Sequence, residues 1–449
     1  MLVANTNPWG DSNPTSMVDV DGVLFYAADD GSNGIELHKA CLEQQPDGSS
    51  TYVAELVKDI RPGAPSSTPS SLTNVDGILF FVADDGVYGP EIWKSDGTAE
   101  GTVLVADIRA GSTTVYPPSL LTNVGGMLYF VANYGSPYGP EVWYTDGTIG
   151  NTGMMKDVYP GAKDSDPPRS LTDVGGTLAF VANDDVHGFE LWRSDGTYGT
   201  TYLLRDIRDG GSTAPNSLTV AGNTLFFVAN DDVNGPELWK SNGTWGGTVL
   251  VKDVRPGNNN SYPPHSLTAV GNKVFFVAED RTNSGGSLHG YEVWGSDGTA
   301  DGTTLLKDVR PGNDTSYAPN GLVDFNGSLC FVAEDGAPDG SQLHGPEIWI
   351  SDGTADGTVL LKDVRLGSDD GYAPCELTVA GNLLYFVADD GTGEEVWKSD
   401  GTTDGTERVV AARRTGTRDA APSGLTAVGH WLFYSDVDDS HGRELWAVS

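Results

Sequence analysis

Short apolar runs, each closed by an acidic or glycine-bearing step, recur along the whole chain. Ile78-Leu79-Phe80-Phe81-Val82-Ala83 leads into Asp84-Asp85-Gly86, and Glu91-Ile92-Trp93 follows and runs on into Ser95-Asp96-Gly97-Thr98. Runs of this length, rich in β-branched and aromatic residues and lacking a helical apolar period, predict short strands between tight turns. The Glu-aliphatic-aromatic step returns at Glu36, Glu91, Glu141, Glu190, Glu237, Glu292, Glu347, Glu395 and Glu444, with a spacing of 47 to 55 residues. Such a period means a solenoid, a propeller or an array of repeats.

Each unit carries four strand signals. In the sixth they are Ser266-Leu267-Thr268, Val274 to Ala278, Glu292-Val293-Trp294 and, after the Ser296 to Thr299 turn, Thr304 to Val309. Four short strands per repeat describe a propeller blade. The last unit stops directly after Glu444-Leu445-Trp446, without a fourth strand. Leu2-Val3-Ala4-Asn5, followed by Pro8 and Gly10, parallels Leu305-Leu306-Lys307-Asp308, followed by Pro311 and Gly312. The fold expected is therefore all-β: one closed propeller over residues 1–449 with nine four-stranded blades, the N-terminal strand completing the last. Eight blades with a degenerate end is the alternative. The tryptophans at 93, 143, 192, 239, 294, 349, 397 and 446 share one blade position, with His38 replacing them in the first unit, and are expected to pack between blades. The glutamate two positions earlier is expected to bond backbone or hydroxyl groups.

Carried by Glu190-Leu191-Trp192-Arg193-Ser194-Asp195-Gly196-Thr197 and its counterparts, the chain resembles the ELWxxDGT-repeat family over essentially all nine units. Unit one departs from the pattern (His38, then Asp47-Gly48-Ser49), unit five has Asn242 for Asp, and unit nine ends before the turn. The resemblance implies an extracellular or surface-associated propeller and supplies no catalytic residues. The Ser-Asp-Gly-Thr turn also resembles the Asp-box of sialidase propellers, which implies a folding element, with Asp accepting local N–H groups and Gly taking a positive φ.

Charge narrows the partners. Asp and Glu number 63 against 26 Lys and Arg, a formal charge of -37, which disfavours nucleic acid and anionic membranes and leaves cations, basic proteins and neutral glycans. Cys41, Cys330 and Cys375 show no metal-like spacing; a bridge between Cys330 and Cys375 is conceivable, and free buried thiols are the preferred reading. Met1 to Asn5 lacks the pattern of a signal peptide, and no segment is apolar enough to span a membrane.

Two sets of loop residues stand out. Units six and seven alone lengthen the loop between their second and third strands, which proposes a ligand-binding patch at Asp280, Arg281, His289, Asp335, Asp339 and His344. Oxygen-rich loops elsewhere suggest calcium at Asp84, Asp85, Asp184, Asp185, Asp231, Asp232, Asp389 and Asp390. The chain has no Gly-x-Ser-x-Gly, no His-Glu-x-x-His and no phosphate-binding glycine loop. The functional expectation is thus a non-catalytic binding or scaffold propeller for a glycan or protein. A structural unit of a surface layer and a glycan-active hydrolase or lyase using channel carboxylates are its alternatives.

Overall fold

The computed structural model describes residues 1–44, 50–108, 116–161, 166–257, 263–281, 287–312, 317–336, 342–366, 372–409, 421–438 and 440–449. Nine four-stranded antiparallel sheets form a nine-bladed β-propeller. Blades 1 to 8 span residues 15–58, 70–106, 119–154, 169–205, 216–252, 265–305, 320–362 and 375–408. The ninth takes its first three strands from Ser423–Val428, Trp431–Asp438 and Gly442–Val448 and its fourth from Leu2–Ala4. Leu2 pairs with Trp446 and Ala4 with Leu445, and the Ala447 amide donates to the Met1 carbonyl at 2.9 Å.

Two compact units carry these blades: residues 1–171 with 196–198 and 410–449, and residues 172–195 with 199–409. In the first, the second strand of blade 2 is buried on both faces. Leu79, Phe81 and Ala83 pack with Phe25, Leu37 and Val57 of blade 1, while Phe80 and Val82 pack with Leu128, Phe130 and Trp143 of blade 3. A strand covered on both sides reads as a continuous apolar run, which is why these segments do not alternate. The second unit repeats the arrangement, with Phe226 and Leu238 of blade 5 against Val274, Phe276 and Trp294 of blade 6. All eight repeated tryptophans are buried, and His38 takes their place in blade 1.

Differences from the sequence reading are local. The fourth strand of blade 6 is Thr304–Leu305, shorter than the expected Thr304 to Val309, although the Leu306 amide still donates to the Val293 carbonyl at 2.9 Å. The first strand of most blades bulges at a left-handed residue, Ser71, Leu120 and Glu376 among them, with φ of 53°, 55° and 54°. The cysteines are all free; Cys330 is buried and Cys375 exposed. No helix among the described residues is long and apolar enough to cross a membrane.

Candidate functional site at the loop end of the blades

In blades 1 to 7 and 9 the repeated glutamate sits at the end of the blade where the loop between strands two and three meets the chain leaving strand four. Glu237 is 1% exposed and accepts the Val254 amide at 3.1 Å and the Arg255 amide at 3.0 Å. Glu141 takes Val158 and Tyr159 in the same way, and Glu292 and Glu347 take Arg310 and Arg365. Glu36, Glu190 and Glu444 add a hydroxyl, from Ser67, Thr213 and Ser12. The carboxylate thus clasps backbone that no strand could satisfy.

Sequence reasoning missed the second carboxyl of this site. Burial foremost, with repulsion from Asp157, Asp253 and Asp308, pushes Glu141, Glu237 and Glu292 up to about 8. Glu190 and Glu347 rise to about 7 for the same reasons, beside Asp206 and Asp363. Oδ1 of Asp253 and Asp363 is buried without a hydrogen-bond partner, and Asp308 shares a hydrogen bond with Glu292. Two carboxyl groups facing one another in an apolar setting do not both ionise, so the fold favours a protonated glutamate near neutral pH. The signal was present as an offset: in blades 2 to 7 the Asp of the Asp-Val or Asp-Ile step follows its glutamate by 16 residues, and in blade 1, whose hairpin is longer, Asp59 follows Glu36 by 23.

Replacing Glu237 by Ala strands two buried amides and should destabilise the protein by about 2–5 kcal/mol. Glu237→Gln should stay within about 1 kcal/mol of wild type, because its carbonyl oxygen still accepts and its NH2 can donate toward Asp253. Denaturant melts of both variants check the pair.

The loop aspartates face inward on their own turns. Asp85 Oδ1 accepts the Val87 and Tyr88 amides; Asp231 accepts Val233, Asn234 and the Asn234 side chain. Asp184 accepts Val186 and His187 and holds His187 Nδ1 at 2.7 Å, which raises the imidazole above its ordinary range and holds the carboxyl below its own. Asp84 joins Arg61, Asp232 joins Arg208, and Asp389 joins Arg365 and accepts Gly391 and Gly393. Asp390 accepts Thr392 and lies 3.8 Å from Arg408, and Asp185 adopts a left-handed φ of 68°. Of these expected calcium ligands, Asp84, Asp85, Asp184, Asp231, Asp232, Asp389 and Asp390 are thus engaged by amides, arginines or His187. Among the described residues no three of His, Cys, Asp or Glu come together to hold a metal ion.

The two lengthened loops are built on the same bracket. Asp280 accepts the His289 amide at 3.1 Å and holds its Nδ1 at 2.7 Å; Asp335 and His344 repeat this at 2.8 Å for both contacts. The insertions lie inside an Asp-His pair that blade 4 closes over three residues, as Asp438 and His441 also do. Asp339 and the side chain of Arg281 lie outside the described residues. Among the described residues carboxylates outnumber cations here. Glu279, Asp280, Glu292 and Asp308 share this end of blade 6, where Glu279 takes Arg255 at 3.1 Å. In blade 7, Glu334 takes Arg310 while His344 stands beside Asp335 and Asp363.

At the other end of the blades the Ser-Asp-Gly-Thr turn is a closed local network. In blade 2 the Thr98 amide and hydroxyl donate to Asp96 Oδ1, the Gly97 amide donates to Ser95 Oγ, and Gly97 has a φ of 86°. Asn242 makes the same two contacts with Thr244, so the position requires an acceptor oxygen rather than a charge.

No protein-family model and no curated protein sequence matches the chain. Solved structures that match it include those of three enzymes. A prolyl endopeptidase matches at 15% identity with a TM-score of 0.40, over 74% of this chain and 46% of that one. Oligopeptidase B from Leishmania major matches at 11% and 0.43, over 85% and 54%. Puromycin hydrolase matches at 13% and 0.39, over 97% and 60%. The chain thus spans about half the length of these proteins. Against the expectation of a non-catalytic, non-enzyme scaffold, these three matched structures are of enzymes. At these levels the likeness is one of fold, and no residue, substrate or reaction passes from them to this chain.

Proposed function

We propose that the loop end of blades 5 to 8 receives a cationic peptide segment, so that the propeller takes part in handling a substrate or partner chain. The observation that carries this reading is the excess of carboxyl groups there. Arg208, Arg255, Arg310 and Arg365 pair with Asp232, Glu279, Glu334 and Asp389, while Asp280, Asp335 and Asp363 stand beside histidines, Asp390 lies 3.8 Å from Arg408 and Asp231 is held by amides of its own turn. The whole chain, at -37, extends the field outward and draws cations toward this end. An extracellular setting, which the ELWxxDGT resemblance implies, fits a surface that carries such charge in salt.

Fluorescence anisotropy with a labelled oligoarginine peptide and its glutamine counterpart tests the reading. The basic peptide should bind, and raising salt from about 0.05 to 0.5 M should weaken it more than about tenfold. Asp231→Asn with Asp390→Asn keeps the turn acceptors and should weaken binding, whereas Asp297→Asn with Asp352→Asn at the opposite end should not. Equal binding of the glutamine peptide, or equal loss from both pairs of variants, overturns it. A neutral glycan, the other partner expected from the sequence, would bind without this salt dependence.

A further inference from the structure

In blades 1, 2, 5 and 6 an aromatic ring on the second strand buttresses the glycine of the next blade's turn. A methyl group placed on Gly97, Gly147, Gly298 or Gly353 would stand 3.3, 3.0, 3.2 or 3.5 Å from the Cζ of Phe25, Phe80, Phe226 or Phe275. Blade 7 has Cys330 at this position and compensates with Phe325 and Ile350, which reach Gly401 instead. Blade 4 has Ala179, paired with Arg193 across the strands, and a methyl group on Gly243 would meet the Arg193 guanidinium at 3.2 Å in place of a ring. Where the ring is missing, Leu178, Ala179, Leu204 and Leu225 floor a cavity of about 80 Å³, with Arg193 and Gly243 at its mouth. That is several times the roughly 10–15 Å³ a single water needs. Crevices at the equivalent place beside Phe25 and Phe275 keep their ring, are lined by Lys39 or Lys273 and measure about 210 and 180 Å³, so blade 4 differs in its apolar floor and not in a larger volume.

The mouth is polarised in one direction. Arg193 donates from Nη1 to the Gly243 carbonyl at 2.9 Å and lies over the Tyr202 ring, with its centre 5.8 Å away. The turn opposite is the one in which Asn242 replaces aspartate, so the anion found at Asp96, Asp297, Asp352 and Asp400 is missing here. A cation at the rim recurs, since Lys39 donates to the Gly97 carbonyl at 2.9 Å, but loss of the ring and loss of the neighbouring anion coincide beside Arg193 in an otherwise strongly acidic protein.

We propose that this cavity is a receptor for an aromatic ring bearing a carboxylate. The ring takes the space that phenylalanine fills in the other blades, and the carboxylate meets Arg193 beside the neutral Asn242. This is the chemistry of an aryl-alkanoic acid and equally of a chain ending in phenylalanine. The site lies at the turn end of the blades and does not depend on the cationic-peptide reading of the loop end.

Binding is followed by calorimetry and by the fluorescence of Trp245, which is 67% exposed two residues beyond Gly243. The probes are 3-phenylpropionate, 3-phenyl-1-propanol, and a short peptide ending in phenylalanine as the free acid or the amide. The wild type should bind 3-phenylpropionate saturably and at least about tenfold more tightly than the alcohol, as expected for a charge-assisted contact. Arg193→Gln and Asn242→Asp should each remove that preference, and Ala179→Phe should abolish binding of both small probes. Ala179→Leu serves the same end if the larger side chain prevents folding. Tighter binding of the free-acid peptide than of 3-phenylpropionate assigns a chain terminus as the ligand, and the reverse order assigns a small acid. Absence of saturable binding to the wild type, or wild-type affinity in the Ala179 or Arg193 variants, overturns the proposal.

Discussion

Deleting residues 1–13 should lower the melting temperature by about 10 °C or more and make the protein aggregate in a concentration-dependent way. The segment supplies the fourth strand of the ninth blade, so its loss bares the edge formed by Gly442–Val448. It also removes the donors to Glu444, among them the Thr6 amide at 3.0 Å and the Ser12 hydroxyl at 2.6 Å. Glu444 is 0% exposed, and a buried carboxylate left without donors costs several times what an exposed one does. Val3 further packs against the cluster of Leu24, Tyr26, Phe433 and Leu445. Calorimetry and light scattering read the two effects. A synthetic peptide of residues 1–13 added in trans should restore most of the stability by strand addition. An unchanged melting temperature in the deletion variant would refute the closure as a source of stability.

Stability should fall as pH rises from about 5 to 8, by several kcal/mol in total, since a tenfold change in the ionisation constant of one acid is worth about 1.4 kcal/mol. Glu141, Glu237 and Glu292 titrate at about 8 in the folded protein, and Glu190 and Glu347 at about 7, against 4.5 for an unperturbed glutamate. Below the lower value both states hold the proton and burial carries no ionic penalty. Between the two values the unfolded chain releases protons that the folded chain retains, so folding becomes less favourable until the curve levels off above about 8. The turn aspartates work the other way. Threonine hydrogen bonds hold Asp96, Asp297, Asp352 and Asp400 below their ordinary value, so their contribution is present above 3.8 and lost as pH falls through the lower folded value. The maximum is therefore expected in mild acid. Relief of overall repulsion has the same sign, so the decisive comparison is a triple variant with glutamine at 141, 237 and 292. Its melting temperature should change with pH much less than that of wild type at the same ionic strength. Equal slopes would mean that net charge, not the clasps, sets the dependence.

Much of the clasp site was visible in the chain, and part of it was not. Glu237 and its counterparts were legible as bonded carboxylates because a repeated acid beside a buried tryptophan must find donors. That the donors are the amides at Val254 and Arg255, and that Asp253 faces the same carboxyl, depends on where the chain turns after strand four. The lengthened loops of blades 6 and 7 read as an asymmetry in sequence. Their Asp280-His289 and Asp335-His344 pairs prove to be the same bracket that Asp184 and His187 make in a short loop. Leu120 and Glu376 carry no mark of a left-handed bulge, since neither residue favours that conformation and the blade imposes it.

By itself the sequence determined the strand count, the repeat, the burial of the tryptophans and the return of Leu2–Ala4 to the last blade. Periodicity and turn chemistry act over a few residues and are written locally. Only the tertiary structure decided which carboxyl groups face each other and where a ring is missing. Those facts arise from side chains of different strands and neighbouring blades meeting at close range. The space beside Ala179 and the partner of Glu237 exist only once the sheets are packed.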